Sequence, residues 1–249
     1  MVKSIKLRIL QGDPIVHDVR NAKFPDRYRG LPKIDKKPCP ENCIKCASIC
    51  PTQAIKQNPL EIDLGLCLFC PLCQEICPEK KIVFSDIYRF VSEKREKLIV
   101  NSQTDSILPE KASEKIIKYF GKSLKLRQVS AGGCNGCELE LNALSNVNFD
   151  MGRYGIEFVA SPRHADGIVI TGPITKNMSN ALEICYKAVP NPKIIILFGV
   201  CAISGGIFHN SNELDRRFLE ENKIDLFIPG CPPHPLTFIC GLIDWLGRR

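Results

Sequence analysis

The chain has no stretch of about 18 uncharged apolar residues, so the sequence offers no candidate for a membrane-spanning helix. Its first residues, Met1 to Lys6, lack the apolar run and the small-residue cleavage site of a secretory signal peptide. A nucleic-acid-binding motif and an aromatic stacking pattern are also missing, although the net charge is +7. These absences predict a cytoplasmic protein with no nucleic-acid partner.

Cysteine is the residue type that the chain has in excess. The 249 residues include 14 cysteines, while 44% hydrophobic and 24% charged residues are ordinary for a folded chain of one or two domains. A reducing compartment keeps thiols from pairing as disulfides. Closely spaced cysteines in such a protein therefore indicate metal ligands.

Positive charge is concentrated near the N-terminus. Residues 1–37 hold ten lysines and arginines against four aspartates, a net charge of +6, so the remainder is nearly neutral. Such a segment could contact anionic lipid or an acidic protein surface. We define residues 1–36 as the basic arm and expect a solvated or partner-binding extension.

Three regions follow the basic arm. Residues 37–84 hold eight cysteines in two similar halves, and residues 85–124 form a charged linker in which Glu110–Gly121 has the pattern of an amphipathic helix. Residues 125–249 alternate short apolar runs with helical patterns. Within them Ile194–Phe198 shows no polar alternation, which is typical of a strand buried on both faces. This region is predicted to be an α/β domain with a doubly wound parallel sheet.

Five strands and three helices are predicted in the α/β domain. The strands are Leu126–Ser130, Ile156–Ala160, Gly167–Thr171, Lys193–Phe198 and Asp225–Ile228. The helices are Glu138–Ser145, Lys176–Val189 and Pro235–Leu246.

The two cysteine-rich halves share a spacing. The first reads Cys39-x3-Cys43-x2-Cys46-x3-Cys50-Pro51, and the second reads Cys67-x2-Cys70-x2-Cys73-x3-Cys77-Pro78. Two-cluster bacterial ferredoxins have the run C-x2-C-x2-C-x3-C-P, in which the fourth cysteine binds the other cluster. The second half matches this run, and the first half has one extra residue between its first two cysteines. We therefore assign 4Fe-4S cluster A to Cys39, Cys43, Cys46 and Cys77, and 4Fe-4S cluster B to Cys67, Cys70, Cys73 and Cys50.

Zinc is the alternative metal for these eight cysteines. Zinc sites usually draw on two separated pairs of ligands. Here four cysteines fall within twelve residues, twice, and each run ends in Cys-Pro. This spacing favours iron–sulfur clusters over zinc.

Four more cysteines follow predicted strands of the α/β domain. Cys134 and Cys137 follow the first strand, Cys201 the fourth and Cys231 the fifth. Loops at the carboxyl ends of parallel strands meet at one edge of the sheet, where ligands bind. We assign 4Fe-4S cluster C to these four, and neighbouring glycines let the backbone approach it closely.

Two cysteines remain outside the three sets. Cys185 and Cys240 each lie within a helical pattern among apolar neighbours. They are predicted to be buried thiols that pack as small hydrophobes.

Five segments of the α/β domain carry a family likeness: Gly132–Glu138, Ser161–Asp166, Thr171–Pro173, Ser204–His209 and Pro229–Pro233. Through them, residues 126–246 resemble the small subunit of membrane-associated, energy-converting NiFe hydrogenases of the formate hydrogenlyase type. They also resemble its homologue in complex I, the subunit with the last cluster before quinone. Residues 37–84 look like the two-cluster ferredoxin subunit of the same complexes. The Cys134-x2-Cys137 spacing favours the hydrogenase branch, since complex I has two adjacent cysteines at the first ligand position.

The resemblance implies a flavodoxin-like domain whose cluster lies against a large partner subunit that carries the nickel–iron centre. It implies a non-catalytic electron-transfer subunit that relays electrons through three 4Fe-4S clusters. Its partners would be that large subunit, further subunits of a membrane-associated complex, and an electron donor or acceptor protein. The chain would then lie peripherally on the cytoplasmic face of a membrane.

The resemblance also singles out three residues other than cysteine. Glu138 could handle protons near the partner's active site, or it could simply favour a helix N-terminus. Arg163 and His164 could tune cluster C or contact the partner, or they could belong to a plain surface loop.

Two other functions stay open from the sequence. The first is the same relay in a complex I-like or hydrogenase-related oxidoreductase whose partner has lost nickel. The second is a free-standing ferredoxin-like carrier.

Overall fold

The computed structural model describes residues 2–12 and 15–248. Four residues lie outside the described ones: residues 1, 13 and 14 of the predicted basic arm, and residue 249 of the predicted α/β domain. The strands are β1 (Pro32–Ile34), β2 (Ile55–Lys56), β3 (Glu61–Asp63), β4 (Ile82–Phe84), β5 (Ile99–Val100), β6 (Leu124–Ser130), β7 (Ile156–Phe158), β8 (Gly167–Thr171), β9 (Ile194–Phe198) and β10 (Leu226–Ile228). The helices are α1 (Val2–Gln11), α2 (Lys45–Ile49), α3 (Leu72–Ile76), α4 (Glu114–Phe120), α5 (Gly136–Ala143), α6 (Lys176–Ala188), α7 (Val200–Ser204), α8 (Arg217–Glu221) and α9 (Pro235–Trp245).

The last five strands form one sheet in which every pairing is parallel. Their order is β10-β9-β8-β6-β7. Counted from the first strand of the sheet, this is the order 2-1-3-4-5 found in flavodoxin-like sheets. The predicted α/β class and parallel sheet are confirmed.

The side chains of the central strands alternate between two cores, as the two-residue period of a strand requires. Ile168 and Ile170 of β8 pack on the face covered by α6, whereas Val169 packs on the face covered by α5 and α9. All five residues of β8 and all five of β9 are buried. The prediction that Ile194–Phe198 is buried on both faces is therefore confirmed.

The cysteine-rich part folds around two small antiparallel sheets. One pairs β1 with β4, and the other has the order β2-β3-β5. Arg95 donates two hydrogen bonds of 2.7 Å to the carboxylate of Asp63, which ties the chain after β4 to β3. Because β1 and β5 lie outside residues 37–84, this unit also takes in the end of the basic arm and part of the linker.

Backbone and charge contacts join the two units. Ser92 and Phe227 exchange backbone hydrogen bonds of 3.1 and 2.7 Å, so the linker extends the sheet beyond β10. Asp244 of α9 accepts hydrogen bonds from Arg20 of the basic arm and from Arg89 of the linker. These contacts fix the cysteine-rich unit against the edge of the parallel sheet.

Part of the basic arm packs on the α/β domain. Val19 is buried, and its carbonyl oxygen accepts hydrogen bonds from the Tyr88 hydroxyl at 2.6 Å and the Cys240 thiol at 3.0 Å. Arg29 donates to the carbonyl oxygen of Phe69 at 2.7 Å. Arg20 and Arg29 of the arm thus form hydrogen bonds within the molecule, which the sequence did not predict.

The linker helix forms as α4, which is shorter than the predicted Glu110–Gly121. Ser113 caps it, with its hydroxyl accepting from the N–H of Ile116 at 3.4 Å. Among the described residues, no helix is long and apolar enough to cross a membrane.

Candidate iron–sulfur centres

The four cysteines predicted for cluster A line one cavity. This cavity, site A, is surrounded by Cys39, Cys43, Cys46 and Cys77. Cys46 lies in α2, and Cys77 follows α3, so the two halves of the cysteine-rich unit meet here. The backbone N–H of Lys81 donates to the Cys77 sulfur at 3.3 Å, and the Gln57 amide donates to the Cys46 sulfur at 3.6 Å.

The four cysteines predicted for cluster B line a second cavity. This cavity, site B, is surrounded by Cys50, Cys67, Cys70 and Cys73. The N–H groups of Ala54 and Phe69 donate to the sulfurs of Cys50 and Cys67 at 3.3 and 3.4 Å. Each site therefore takes three cysteines from one half of the unit and one from the other, in the crossed arrangement that the spacing predicts.

The cysteines of both cavities are free thiols, and the surroundings of Cys73 and Cys67 oppose ionisation. Burial, together with the neighbouring thiols Cys70 and Cys50, raises the pKa of Cys73 to about 11. Burial raises the pKa of Cys67 as well. Such thiols are protonated at neutral pH, so a metal that binds them as thiolates must displace their protons.

Loops at the carboxyl edge of the parallel sheet bring together the cysteines predicted for cluster C. Cys134 and Cys137 follow β6, Cys201 lies in α7 after β9, and Cys231 follows β10. The thiols of Cys137, Cys201 and Cys231 each interact electrostatically with that of Cys134. We call this group site C.

Glycines at site C let the backbone lie directly against the sulfurs. A Cβ atom at Gly199 would lie 2.6 Å from the Cys137 sulfur, and one at Gly206 would lie 2.9 Å from the Cys201 sulfur. Gly199 has φ +92° and Gly206 has φ +57°, both in the region that favours glycine. The local sequence thus leaves room for a ligand held by these cysteines.

Site C is more open to solvent than sites A and B. Cys134 and Cys231 are exposed, while Cys137 and Cys201 are half-buried. Burial raises the pKa of Cys201 to about 11, Cys231 and Cys134 add to this effect, and the guanidinium of Arg216 opposes it. A ligand at site C would therefore face the surface of the chain.

Glu138 lies in the first turn of α5, behind the cysteines of site C. It is buried, and its Oε1 atom accepts hydrogen bonds from Ser130 and Thr171 at 2.7 and 2.6 Å. It also interacts electrostatically with Cys137 and Cys201. The predicted position at a helix N-terminus is confirmed, and two hydroxyl groups hold the carboxyl in place.

Arg163 and His164 lie in the connection between β7 and β8. Both side chains are exposed in a short 3-10 turn, Pro162–His164, that follows β7. The site C cysteines follow β6, β9 and β10 instead. In the described part of the chain, no hydrogen bond ties either side chain to site C.

The three sites form a row. Cys46 of site A interacts electrostatically with Cys73 of site B, and Cys70 of site B interacts with Cys231 of site C. A cavity between sites B and C is lined by Phe69 and Cys231, together with Arg29. Site B therefore lies between the other two.

The structure adds two cations that sequence reasoning missed. Lys81 lines site A with a buried side chain, and its ammonium donates to the Lys37 carbonyl oxygen at 2.7 Å. Arg216 lies beside Cys201 of site C. Each belongs to a pair of adjacent basic residues, Lys80-Lys81 or Arg216-Arg217. In the sequence such a pair has the appearance of exposed surface charge.

The thiol sets fit the group that their spacing predicts. Among the described residues, no three His, Cys, Asp or Glu side chains converge closely enough to hold a single metal ion. At sites A and B the thiols instead surround a cavity, and four thiolates around one centre are the ligands of a 4Fe-4S cluster. Backbone N–H groups point at the sulfurs of Cys50, Cys67 and Cys77.

Comparison with known proteins places the α/β domain in a family. Residues 134–245 match the family model described as NADH ubiquinone oxidoreductase, 20 Kd subunit. The chain is 35% identical over 134 residues to the probable membrane-bound hydrogenase subunit mbhJ of Pyrococcus furiosus, covering 54% of this chain and 80% of the relative. The chain belongs to this family. Residues 1–133 lie outside the match to the family model.

Other members of the family come from two kinds of complex. Formate hydrogenlyase subunit 7 of Escherichia coli is 40% identical over 143 residues, which cover 57% of this chain and 55% of the relative. An NADH-quinone oxidoreductase subunit of Citrifermentans bemidjiense is 39% identical over 107 residues, covering 43% of this chain and 62% of the relative. The family thus has hydrogenase-related and complex I members, and the chain is a component of an oxidoreductase complex of this class.

Cys185 and Cys240, which lie outside the three sites, differ in burial. Cys240 of α9 is fully buried, as predicted. Cys185 of α6 is only half-buried, because its helix covers the sheet with one face and exposes the neighbouring Ile184 on the other. The prediction of a buried thiol is therefore wrong for Cys185.

Proposed function

We propose that this chain is the electron-transfer subunit of its complex and holds 4Fe-4S clusters A, B and C at sites A, B and C. Bound clusters would supply three one-electron carriers within one chain. The observation that carries the proposal is the row of thiols, in which Cys46 interacts with Cys73 and Cys70 interacts with Cys231. With site B in the middle, electrons would enter or leave at sites A and C.

The cysteine-rich unit would act as the two-cluster ferredoxin domain of the relay. The crossed ligand sets support this, because each set needs both halves of the unit and so locks them together. Hydrogen bonds from backbone N–H groups to the sulfurs of Cys50, Cys67 and Cys77 orient the ligands. Such bonds also influence the potential at which a cluster accepts an electron.

Site C would face the partner large subunit. Its two exposed cysteines are accompanied by exposed apolar side chains, which are Leu139 of α5 and Ile207 and Phe208 after α7. A single exposed apolar residue is ordinary, whereas several beside an open ligand site mark a surface that another protein covers. The buried Glu138 behind this surface would handle protons for the partner's active site.

The partner that we propose carries a nickel–iron centre, as in a hydrogenase of the formate hydrogenlyase type. The support is the identity to relatives named as a membrane-bound hydrogenase subunit and a formate hydrogenlyase subunit, together with the Cys134-x2-Cys137 spacing. Other partners would be further subunits of a membrane-associated complex and a protein that donates or accepts electrons near site A. The chain would associate with the membrane peripherally through them.

A relay in a complex I-like oxidoreductase is the second candidate, since relatives named as NADH-quinone oxidoreductase subunits reach 40% identity. The large subunit that copurifies with the chain separates the two candidates. Two pairs of cysteine ligands in that subunit would support the hydrogenase, and their loss would support the complex I-like enzyme. A chain that purifies alone as a monomer with every cluster intact would instead support a free-standing carrier.

Replacement of one site C ligand tests the assignment of three separate clusters. In anaerobically purified protein, Cys231→Ala should remove one electron paramagnetic resonance signal and leave the two signals of sites A and B. Cys185→Ala is the control, because this thiol belongs to none of the three sites. Loss of all three signals in Cys231→Ala, or of none, would contradict the proposed division into sites.

A further inference from the structure

Arg216 places a positive charge beside site C without a carboxylate to balance it. The two terminal nitrogens of its guanidinium donate to four backbone carbonyl oxygens, at distances of 2.8 to 3.3 Å. Among the described residues no carboxylate forms an ion pair with it. The adjacent Arg217 differs, because it is exposed and paired with Asp215 at 2.7 Å.

The four carbonyl groups locate this charge at the ligand loop. Three of them belong to Cys201, Ala202 and Ile203 of α7, and the fourth belongs to Pro173 after β8. The guanidinium also interacts electrostatically with the Cys201 thiol itself. An arginine side chain stays protonated in proteins, so the charge is permanent.

The surroundings of Cys201 contain one further described charged group that interacts with it, the carboxyl of Glu138. Glu138 is hydrogen-bonded by two hydroxyl groups and lies behind Cys137. Among the groups that interact with Cys201, Arg216 is therefore the cation. Arg216 is half-buried, and this makes its charge more effective, because the interaction of two charges grows as the surrounding dielectric falls.

We propose that Arg216 is a positioning residue that raises the reduction potential of site C through its charge next to Cys201. The inference rests on the proposed function, since it requires a 4Fe-4S cluster on Cys134, Cys137, Cys201 and Cys231. One-electron reduction adds one negative charge to the site, and no atom is transferred. A fixed positive charge beside a ligand stabilises that reduced form relative to the oxidised form.

A purely structural role for Arg216 predicts something different. The guanidinium satisfies carbonyl oxygens at the end of the short helix α7, where a cation is favourable in any case. If this were its whole role, replacement of Arg216 would lower the stability of the protein or the fraction of chains with a cluster at site C. The reduction potential of site C in the chains that keep the cluster would stay unchanged. The reduction potential therefore separates the two roles.

The experiment is a redox titration of the full chain under anaerobic conditions, followed by electron paramagnetic resonance, with dithionite as reductant. Arg216→Gln removes the charge and should lower the equilibrium constant for reducing site C about tenfold, which is about 59 mV for one electron. Arg216→Lys keeps the charge and should stay near the wild-type potential. Arg217→Gln removes a charge that is already paired and is the matched control.

The signals of sites A and B should titrate unchanged in all three variants. A wild-type potential of site C in Arg216→Gln would overturn the proposal. If Arg216→Gln fails to retain the cluster, Arg216→His decides, because an imidazole carries a positive charge at acidic pH and none at alkaline pH. A potential of site C that falls with rising pH more steeply than in the wild type then supports the charge, and a pH dependence equal to that of the wild type overturns it. Failure of the proposed function would look different, since the wild-type chain itself would then lack a third signal.

Discussion

A side chain at position 199 would collide with a ligand sulfur of site C. A Cβ atom there would lie 2.6 Å from the Cys137 sulfur, and the backbone has φ +92°. Gly199→Ala therefore adds both a steric clash and an unfavourable backbone conformation, which together cost about 1 kcal/mol or more. We expect this variant to lose the cluster at site C while the clusters at sites A and B remain.

The measurement for Gly199→Ala is the number of paramagnetic signals in the reduced, anaerobically purified protein. Gly152→Ala is a matched control, because Gly152 is exposed and its added Cβ would meet only the Asp150 side chain, at 3.8 Å. Three unchanged signals in Gly199→Ala would mean that the backbone does not lie against Cys137 in the loaded protein.

At the level of residues, the sequence predicts which cysteines come together and misses the other residues around them. The cysteines that the spacing assigns to sites A and B line the same cavities, since a short loop with fixed spacing determines which sulfurs can meet. Arg216 and Lys81 could not be predicted, because each approaches its site through tertiary packing. A basic residue in a loop has the same appearance in a sequence whether it faces water or a ligand.

At the level of elements, the crossed arrangement depends on where α2 and α3 end. Each helix is five residues long, carries one ligand, and is followed by a Cys-Pro step that takes the chain to the other site. Cys50 follows α2 and reaches site B, and Cys77 follows α3 and reaches site A. The pairing of ligands in the two sites thus follows from the direction of two short helices.

Single replacements in the two halves test this crossing. Cys77→Ala should remove the same paramagnetic signal as Cys39→Ala, because both residues line site A, although 37 residues separate them in the numbering. Cys50→Ala should remove the other signal, which Cys67→Ala also removes. Each pair of variants is the control for the other pair, because the signal that one pair removes should remain in the other. An uncrossed result, in which Cys50→Ala and Cys39→Ala affect one signal, would contradict the geometry of sites A and B.

The elements of the α/β domain were predictable because they alternate in a simple way. The apolar runs that predict strands form β6 to β10, and the helical patterns form α5, α6 and α9 with bounds that shift by at most two residues. The short helix α7 was not predicted, because Val200–Ser204 has too few residues to show a period. The small strands β1 and β5 were missed for the same reason, and their pairing moves the edges of the cysteine-rich unit.

At the scale of the whole molecule, the two units are fixed to each other by contacts that no local pattern encodes. Two backbone hydrogen bonds join Ser92 to Phe227, which is far from it in the sequence. Ion pairs likewise join Asp244 to Arg20 and Arg89. This packing brings Cys70 close to Cys231. The proximity of sites B and C is therefore a result of tertiary structure, and the sequence alone predicts only that both sites exist.

The central claim is that twelve cysteines gather in three sets of four around iron. Iron, sulfide and zinc content of the anaerobically purified full chain tests it most directly. Three cubane clusters with four cysteine ligands each predict about twelve irons and about twelve sulfides per chain, with no stoichiometric zinc. Eight irons would show that one of the three sites is misassigned, and zinc bound in stoichiometric amount without iron would contradict the account as a whole.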